Sequence, residues 1–264
     1  MEGVYRVQGE EVNMASRAGE NGARGSLGTV RNAMLLLELL SEGPAYRQLS
    51  DLAEASGLSL ATVHRLLRSL LHAQLVEQEE RTSRYGLGPE LTRLSQRYLA
   101  RLPMLGALSP YLVPLRDQIG ATIHVAILVR GAVVYVDRID SDDSGLYRAA
   151  QRTEPALVSA AGRVLASRSD DENWNLALDR VDEVAGKEAL DKRDEWAEAP
   201  SLMMSGLTMM FPQEVAVPVL DGTGRAAAAL AASLPIGVDQ ARVDTVVTHL
   251  THVASAAGRT LGHG

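Results

Sequence analysis

Residues 59–72, with the sequence SLATVHRLLRSLLH, carry the clearest pattern in the chain. Apolar residues recur there at i, i+3, i+4, i+7 and i+8, which is the period of an amphipathic helix with one buried face. These apolar positions are Val63, Leu66, Leu67, Leu70 and Leu71. Ser59 fits the N-cap of this helix, whose N-terminus would then be available to a phosphate. The opposite face carries Ala61, Thr62, His64, Arg65, Arg68 and Ser69.

Two helical patterns precede this segment and a hairpin pattern follows it. The first helix is predicted over residues 29–40 with Thr29 as its N-cap, and the second over residues 49–55. Two short strand-like runs lie between residues 75 and 87 around a polar turn. This order is typical of a winged helix-turn-helix, in which the third helix enters the major groove and the wing can touch the flanking backbone. We therefore predict a DNA-binding domain over residues 26–88.

Four arginines are the candidate DNA contacts in this domain. Arg65 and Arg68 lie one helical turn apart, as a pair reaching a base edge and a phosphate would need. Arg81 and Arg84 would lie on the wing. The alternative is that the helices form an ordinary small bundle and that the arginines are solvated surface. The histidines of this region have no neighbours at metal-ligand spacing, so we predict no metal site.

The amino-acid composition limits the classes of function that this chain can have. The chain has 264 residues, 46% of them hydrophobic, and no cysteine, which excludes disulfides and cysteine nucleophiles. No apolar run approaches the roughly 20 residues that cross a bilayer, and no secretory signal is visible, so we expect a cytoplasmic protein. The net charge of the chain is −7, but residues 1–102 are neutral, because they hold 12 basic and 12 acidic groups. A neutral domain can still bind DNA if its arginines share one face.

The rest of the chain predicts a second domain of α+β class. Residues 1–25 have no apolar period and are predicted to be a disordered tail. Residues 89–102 are predicted to form a linker helix that Pro103 ends. In residues 103–264, one pair of β-rich runs surrounds Arg130-Gly131, and a second pair follows after several helical patterns. Hairpins with helices inserted between them are typical of an α+β domain.

The chain resembles the IclR-type transcriptional regulators over about residues 27–262. In the N-terminal part the resemblance rests on residues 30–40 (VRNAMLLLELL), 49–53 (LSDLA), 59–70 (SLATVHRLLRSL) and 84–88 (RYGLG). In the second half it rests on residues 119–122, 133–138, 159–165 and 215–225. The resemblance implies a homodimer, or a dimer of dimers, that binds double-stranded operator DNA through winged helices. It also implies a GAF-like effector-binding domain over residues 103–264, whose small-molecule ligand changes the DNA affinity.

The resemblance also assigns site residues, one by one. It places DNA contacts at Ser59, Ala61, Thr62, His64, Arg65 and Arg68, to which the helix and wing patterns add Ser69, Arg81 and Arg84. It places ligand contacts at Leu146, Ala160, Ala161, Gly162, Ser205, Glu214 and Ser233.

Residues 201–212 depart from the family pattern. They contain four methionines and the single Phe of the chain, where the family usually has a more acidic stretch. Methionine packs well against aromatic rings, so we hypothesise an apolar pocket, with Met209 in its lining, for a small aromatic acid or a neutral amide or hydrazide. An ionised Glu214 would disfavour a bare carboxylate there and could accept hydrogen bonds from NH or OH groups. The alternative is a hydrophobic loop that covers the core.

The rival class is a small-molecule-binding protein or a hydrolase-like enzyme with no DNA role. The chain has no Gly-x-Ser-x-Gly motif, and its early glycines do not follow a strand. Carboxylate-rich stretches at residues 170–172 and 191–198 are interpreted as solvated helix faces, and His124 as a core or surface residue of a strand. We therefore predict no catalytic residue, no cofactor and no membrane contact. The predicted function is a DNA-binding regulator, a repressor of a catabolic operon under the control of a small metabolite.

Overall fold

The computed structural model describes residues 14–141, 152–205 and 213–262, with side chains from Gly28 onward. The chain divides into an N-terminal unit that ends at Tyr98 and a C-terminal unit that begins at Leu99. Among the described residues, no helix combines the length and the hydropathy that spanning a membrane requires.

The N-terminal unit has the order of a winged helix-turn-helix. Its elements are helices α1 (Met14–Ser41), α2 (Leu49–Ser56) and α3 (Leu60–His72), the antiparallel strands β1 (Val76–Gln78) and β2 (Tyr85–Leu87), and helix α4 (Glu90–Leu99). One small core joins the three helices to the hairpin, and Leu36, Leu52, Val63 and Leu67 are fully buried in it. The predicted fold of this part of the chain is confirmed.

The first helix is longer than predicted. It begins at Met14, so Thr29 lies inside the helix and is not its N-cap. Residues 14–25, predicted to be disordered, are helical, whereas residues 1–13 lie outside the described part. Extending an existing helix adds one hydrogen bond for each residue that is fixed, so a polar segment next to an established helix can continue it without an apolar stripe of its own.

The C-terminal unit is built on one antiparallel sheet. Its elements in chain order are α5 (Pro103–Ile119), β3 (Thr122–Val129), β4 (Ala132–Ile139), β5 (Thr153–Pro155), a short 3₁₀ helix (Ala156–Val158), α6 (Ala160–Ser167), α7 (Asp171–Leu178), α8 (Glu183–Glu198), β6 (Leu202–Met204), β7 (Gln213–Leu220), β8 (Ala226–Leu234) and α9 (Gln240–Leu261). The six strands lie in the order β5-β4-β3-β8-β7-β6, and every neighbouring pair is antiparallel. The α+β class is confirmed.

The two faces of this sheet pack against different helices. The side chains of Ile123, Val217 and Leu250 belong to the core between the sheet and helices α5 and α9. The other face carries mainly alanines and packs against α6. Helix α6 also lies close to the short 3₁₀ helix: a Cβ on Gly162 would be 2.0 Å from the carbonyl oxygen of Ala156. This second face carries the polar residues of the candidate ligand site.

Two details of the predicted linker helix are wrong. Pro103 begins α5 at its first turn instead of ending a helix, and α4 ends earlier, at Leu99. The sequence patterns predicted no helix over residues 103–119, because Pro110 and Pro114 lie inside α5 and proline usually interrupts a helix. Within residues 201–212, for which a covering loop was one alternative, residues 202–204 form the edge strand β6, paired with β7. Residues 206–212 lie outside the described part of the chain.

Candidate DNA-binding surface and effector pocket

The polar face of α3 is exposed over most of its length. The side chains of Ala61, His64, Arg65, Arg68 and Ser69 are exposed, and that of Thr62 is half-buried. Val63, Leu66, Leu67 and Leu70 are buried on the opposite side. The division of this helix into an apolar and a polar face therefore lies where its sequence pattern places it.

Hydrogen bonds fix the first turn of α3. Gly57 ends α2 in a left-handed conformation with φ of 67°, which glycine adopts without strain. Ser59 then caps α3, because its Oγ accepts a hydrogen bond from the backbone N–H of Thr62 at 3.2 Å. The Ser69 hydroxyl donates to the carbonyl oxygen of Arg65 at 3.2 Å, so it is directed toward its own helix. Arg65 and Arg68 are thus presented on a helix whose start is well defined.

An open cleft runs along this surface. It is lined by His64, Arg65, Arg68, Ser69, Leu71 and His72. Two guanidinium groups and two imidazoles on one cleft provide hydrogen-bond donors for base edges and phosphates.

The wing is less basic than its two arginines imply. Arg81 and Arg84 are exposed, as predicted, in the turn between β1 and β2. Three glutamates, at positions 77, 79 and 80, lie on the same hairpin. The Tyr46 hydroxyl donates to Glu77 Oε1 at 2.5 Å, and this hydrogen bond and the negative charge of Glu77 raise the pKa of Tyr46. The wing is therefore less favourable to a negatively charged ligand than the polar face of α3.

The second candidate site lies on the α6 face of the sheet, around Glu214. Glu214 lies on β7 and is buried, with only 7% of the residue exposed. Its Oε2 accepts hydrogen bonds from the backbone N–H groups of Ala160 at 2.8 Å and Ala161 at 3.2 Å. Its Oε1 accepts a hydrogen bond from the Tyr135 hydroxyl at 2.8 Å. The structure thus brings together Ala160, Ala161 and Glu214, three of the residues that the sequence assigned to the ligand.

Tyr135, Arg152 and Glu154 belong to the same cluster and were not predicted. Arg152 Nη2 donates to Tyr135 Oη at 2.9 Å and to Glu154 Oε1 at 2.7 Å. Its guanidinium lies 4.6 Å from the centroid of the Tyr135 ring, within the range of a cation–π contact. The period-2 alternation of the hairpin could have placed Tyr135 on this face. The sequence offered no comparable signal for Arg152 or Glu154.

His124 and Ser233 extend the cluster along the sheet. His124 Nε2 lies 3.0 Å from Ser233 Oγ, and the imidazole meets the Tyr135 ring edge-on with centroids 5.4 Å apart. Ser233, a predicted ligand residue, lies opposite Glu214 in the pairing of β7 with β8. Burial, reinforced by the charges of Arg138 and Arg152, lowers the pKa of His124 to about 4. The imidazole is therefore neutral at physiological pH.

Burial also changes the acidity of the two oxygen acids in the cluster. It raises the pKa of Glu214, while hydrogen bonds from Tyr135 and the Ala161 N–H and the charge of Arg152 act in the opposite direction. Burial raises the pKa of the Tyr135 phenol far above its usual range, with the negative charges of Glu214 and Glu154 adding to the effect. Tyr135 is therefore a permanent hydrogen-bond donor.

The remaining predicted ligand residues are not all in this cluster. Gly162 uses its N–H for a hydrogen bond to Ser159 Oγ at 3.1 Å, so its role is close packing and capping of α6. Ser205 is exposed after the end of β6. Leu146 and Met209 lie outside the described residues. Within the described ranges, no group of three His, Asp or Glu side chains is arranged to hold a metal ion.

Comparison with known proteins identifies both parts of the chain. The IclR helix-turn-helix domain matches residues 29–80, and the C-terminal domain of bacterial IclR transcriptional regulators matches residues 96–187. The HTH-type transcriptional regulator XynR of Escherichia coli K12 is 26% identical over 245 residues, which are 89% of this chain and 97% of that protein.

Solved structures share the fold. An IclR family transcriptional regulator from Brucella abortus matches with a TM-score of 0.75 at 18% identity, over 88% of this chain and 91% of that one. An IclR homologue from Microbacterium hydrocarbonoxydans, solved in complex with 4-hydroxybenzoate, matches with a TM-score of 0.65 at 19% identity, over 89% of this chain and 100% of that one. The chain therefore belongs to the IclR family of transcriptional regulators, which have a helix-turn-helix DNA-binding domain and are not enzymes.

Proposed function

We propose that this protein is a repressor that binds operator DNA as a homodimer and is controlled by a small aromatic metabolite. In this proposal residues 26–88 bind DNA, residues 89–102 link the two functions, and residues 103–264 bind the metabolite. The observation that carries the proposal is the exposed polar face of α3, with Arg65 and Arg68 one turn apart on a capped helix. Because operator DNA is its partner, we place the protein in the cytoplasm.

The proposed DNA contacts of α3 have two roles: some recognise the base sequence, and others position the protein on the duplex. Arg65 is assigned to a base edge, where a bidentate guanidinium contact discriminates between bases. Arg68 is assigned to a phosphate, together with the first turn of α3 behind Ser59. Two copies of α3 in a dimer would read half-sites about 34 Å apart, or a multiple of that distance, along the duplex.

The ligand side of the proposal rests on the α6 face of the sheet. That face combines small alanine side chains with the aromatic ring of Tyr135 and a few polar groups that can orient a ligand. The homologue solved with 4-hydroxybenzoate supports an aromatic ligand for a domain of this fold. A regulator that senses an aromatic metabolite fits control of the operon that degrades it.

Coupling requires that the ligand prefer one conformation of the protein. A ligand changes DNA affinity only by its difference in affinity for the DNA-binding and the released states. We assign the transmission of this difference to α4 and the residues that join it to α5, because the chain passes from one unit to the other there.

The test is a fluorescence anisotropy titration of labelled DNA from upstream of the chain's own gene, in moderate salt with non-specific competitor. We expect salt-dependent binding that survives the competitor, and Arg65→Ala should weaken it by about 1–3 kcal/mol. Arg225→Ala, an exposed arginine in the C-terminal unit, is the matched control and should bind as the wild type does. Equal binding by the wild type and Arg65→Ala would contradict the assignment of α3. Higher expression of a reporter for this promoter after deletion of the gene would distinguish repression from activation.

A further inference from the structure

The strongest hydrogen-bond donors on the α6 face already hold a carboxyl group, and that group belongs to the chain itself. One carboxylate oxygen of Glu214 accepts two backbone N–H groups and the other accepts the Tyr135 hydroxyl. Arg152 Nη2 lies 4.0 Å from the same carboxylate. Two amides, a phenol and a guanidinium around one carboxylate would suit the carboxylate of a ligand equally well.

The position of Glu214 in the sheet holds its carboxyl group beside these donors. It lies within β7, opposite Met204 of β6 and Ser233 of β8, so its backbone is held on both sides. Glu214 is buried, and both of its carboxyl oxygens accept hydrogen bonds. The Oε2 atom can accept the two N–H groups whether the carboxyl group is ionised or protonated. A ligand carboxylate would therefore have to displace Glu214 to reach these donors.

The cluster has more acceptors than donors around Tyr135. The Tyr135 oxygen lies 2.8 Å from Glu214 Oε1 and 3.0 Å from Glu154 Oε1, but it has one proton and donates to one of them at a time. Arg152 supplies hydrogen bonds to Tyr135 and Glu154. A ligand that brings a further N–H or O–H donor improves this balance, whereas a ligand that brings only acceptors does not.

The charges around Tyr135 also favour a ligand that donates hydrogen bonds over one that carries a negative charge. Arg152 faces two carboxylates, Glu154 and Glu214. Arg138 is paired with Asp140 at 2.6 Å, so this pair adds little net charge. His124 is neutral, because its pKa is lowered to about 4. Around Tyr135, the described groups therefore leave one negative charge in excess when Glu214 is ionised.

We propose that Glu214 is the specificity-determining residue of the effector pocket: it fills the anion subsite formed by the Ala160 and Ala161 N–H groups and the Tyr135 hydroxyl, and so excludes carboxylate effectors. The effector is then an aromatic compound without a carboxylate that donates a hydrogen bond, of the class of amides, hydrazides and amines. This inference rests on the proposed function, because it concerns the ligand of the same domain, and it narrows the ligand class.

The occupied subsite can be tested without knowing the effector. Glu214→Ala removes the group CH₂–COO⁻, which has the size and charge of acetate. We expect acetate at about ten times its Kd to raise the Tm of Glu214→Ala by about 3–6 °C. The wild type should show no such rise, and neither should Glu154→Ala, which removes the other carboxylate near Tyr135 but none of the amide contacts. Sodium chloride and acetamide at the same concentration control for ionic strength and for a neutral compound of the same shape.

Two results of this experiment would overturn the proposal. One is an equal effect of acetate on the wild type and on Glu214→Ala, which would mean that acetate binds elsewhere. The other is the absence of any effect of acetate on Glu214→Ala, which would mean that the amides and the phenol do not form an anion subsite.

A second measurement covers the case in which Glu214→Ala does not fold. Titration calorimetry with benzamide and benzoate compares two probes of the same shape, on the wild type and on Glu214→Gln, which fills the same space without charge. Two like charges about 5 Å apart reduce affinity by at least about tenfold at an effective dielectric constant of about 20. The wild type should therefore prefer benzamide by at least that factor, and Glu214→Gln should reduce the preference. Tighter binding of benzoate than of benzamide by the wild type would overturn the proposal.

Failure of the proposed function gives a different result. If benzamide binds but does not release DNA, the repressor mechanism fails while the role of Glu214 stands. If neither aromatic probe binds, the proposal of an aromatic effector is wrong. The role of Glu214 is then decided by the acetate experiment on Glu214→Ala, or on Glu214→Ala refolded in acetate.

Discussion

The Tyr135→Phe substitution removes one hydroxyl group that connects β4, β5 and β7. This hydroxyl donates to the buried carboxylate of Glu214 at 2.8 Å and accepts from Arg152 Nη2 at 2.9 Å. The ring, its edge-on contact with His124 and its cation–π contact with Arg152 remain in the variant. The substitution therefore isolates the hydrogen bonds of the phenol from the packing of the ring.

The expected loss of stability depends mainly on Glu214, which loses the hydroxyl donor of Tyr135. A hydrogen bond to a charged group contributes about 1.5–3 kcal/mol, and Glu214 keeps its two backbone donors in the variant. Loss of the close approach between Tyr135 Oη and Glu154 Oε1, at 3.0 Å, offsets part of this cost. We expect a decrease of about 2 kcal/mol in the free energy of unfolding, or about 4–8 °C in Tm for a unit of this size.

Urea unfolding followed by tryptophan fluorescence measures this effect selectively. The two tryptophans of the chain, Trp174 and Trp196, both lie buried in the C-terminal unit, so their signal reports on that unit alone. Tyr111→Phe is the matched control, because Tyr111 is exposed on α5 of the same unit, and it should change stability by less than about 0.5 kcal/mol. If Tyr135→Phe is no more destabilising than Tyr111→Phe, the hydrogen-bond cluster does not stabilise the fold as argued.

Three further predictions address other parts of the molecule. Gly162→Ala should destabilise the C-terminal unit by about 1–3 kcal/mol in the same urea assay, because the new Cβ would lie 2.0 Å from the Ala156 carbonyl oxygen; a stability equal to that of the wild type would contradict this close contact. The pKa of His124 is about 4 in the folded protein and about 6.5 when unfolded. The unfolded state therefore binds more protons between these values, and stability falls by up to about 3 kcal/mol as the pH decreases through that window. His124→Gln should reduce this pH dependence, and unfolding curves at pH 7 and pH 4.5 that change equally in both proteins would refute it. Leu94→Pro interrupts α4, so DNA binding and ligand binding should persist separately while the effect of ligand on DNA affinity disappears; an unchanged effect in an anisotropy titration would remove α4 from the coupling.

Local patterns predicted the elements that depend on neighbours in the chain. The apolar stripe of α3 lies where the helical period places it, because that period is set within a few turns. The hairpin of β3 and β4 turns at Arg130 and Gly131, and both residues have the positive φ that a two-residue turn of this type requires. Prediction failed where a local signal conflicted with the fold. Helix α5 contains two prolines, which argue against a helix, but its packing against the sheet stabilises it.

The polar cluster was predicted only in part, for a different reason. Glu214, Ala160, Ala161 and Ser233 came from the family resemblance, and the structure brings them together. Tyr135 and Glu214 are 79 residues apart in the chain, so their hydrogen bond depends on the order and register of the strands between them. Neither property is encoded in the sequence near either residue, and the contact could not be inferred from a local pattern.

The order of the strands has a consequence for how the protein is made. The centre of the sheet pairs β3 with β8, and Thr122 and Ser233 are partners in this pairing. At 5–20 residues per second, a ribosome needs roughly 5–20 s to synthesise the chain between them. Among the described residues of the N-terminal unit, the pairing of β1 with β2 and the bridge between Arg47 and Tyr85 all lie before Gly88, so this unit is fully translated before β8. Each new molecule would thus have its complete helix-turn-helix segment several seconds before it has both central strands of the C-terminal sheet, and a chain cut short before β8 would contain the first and lack the second.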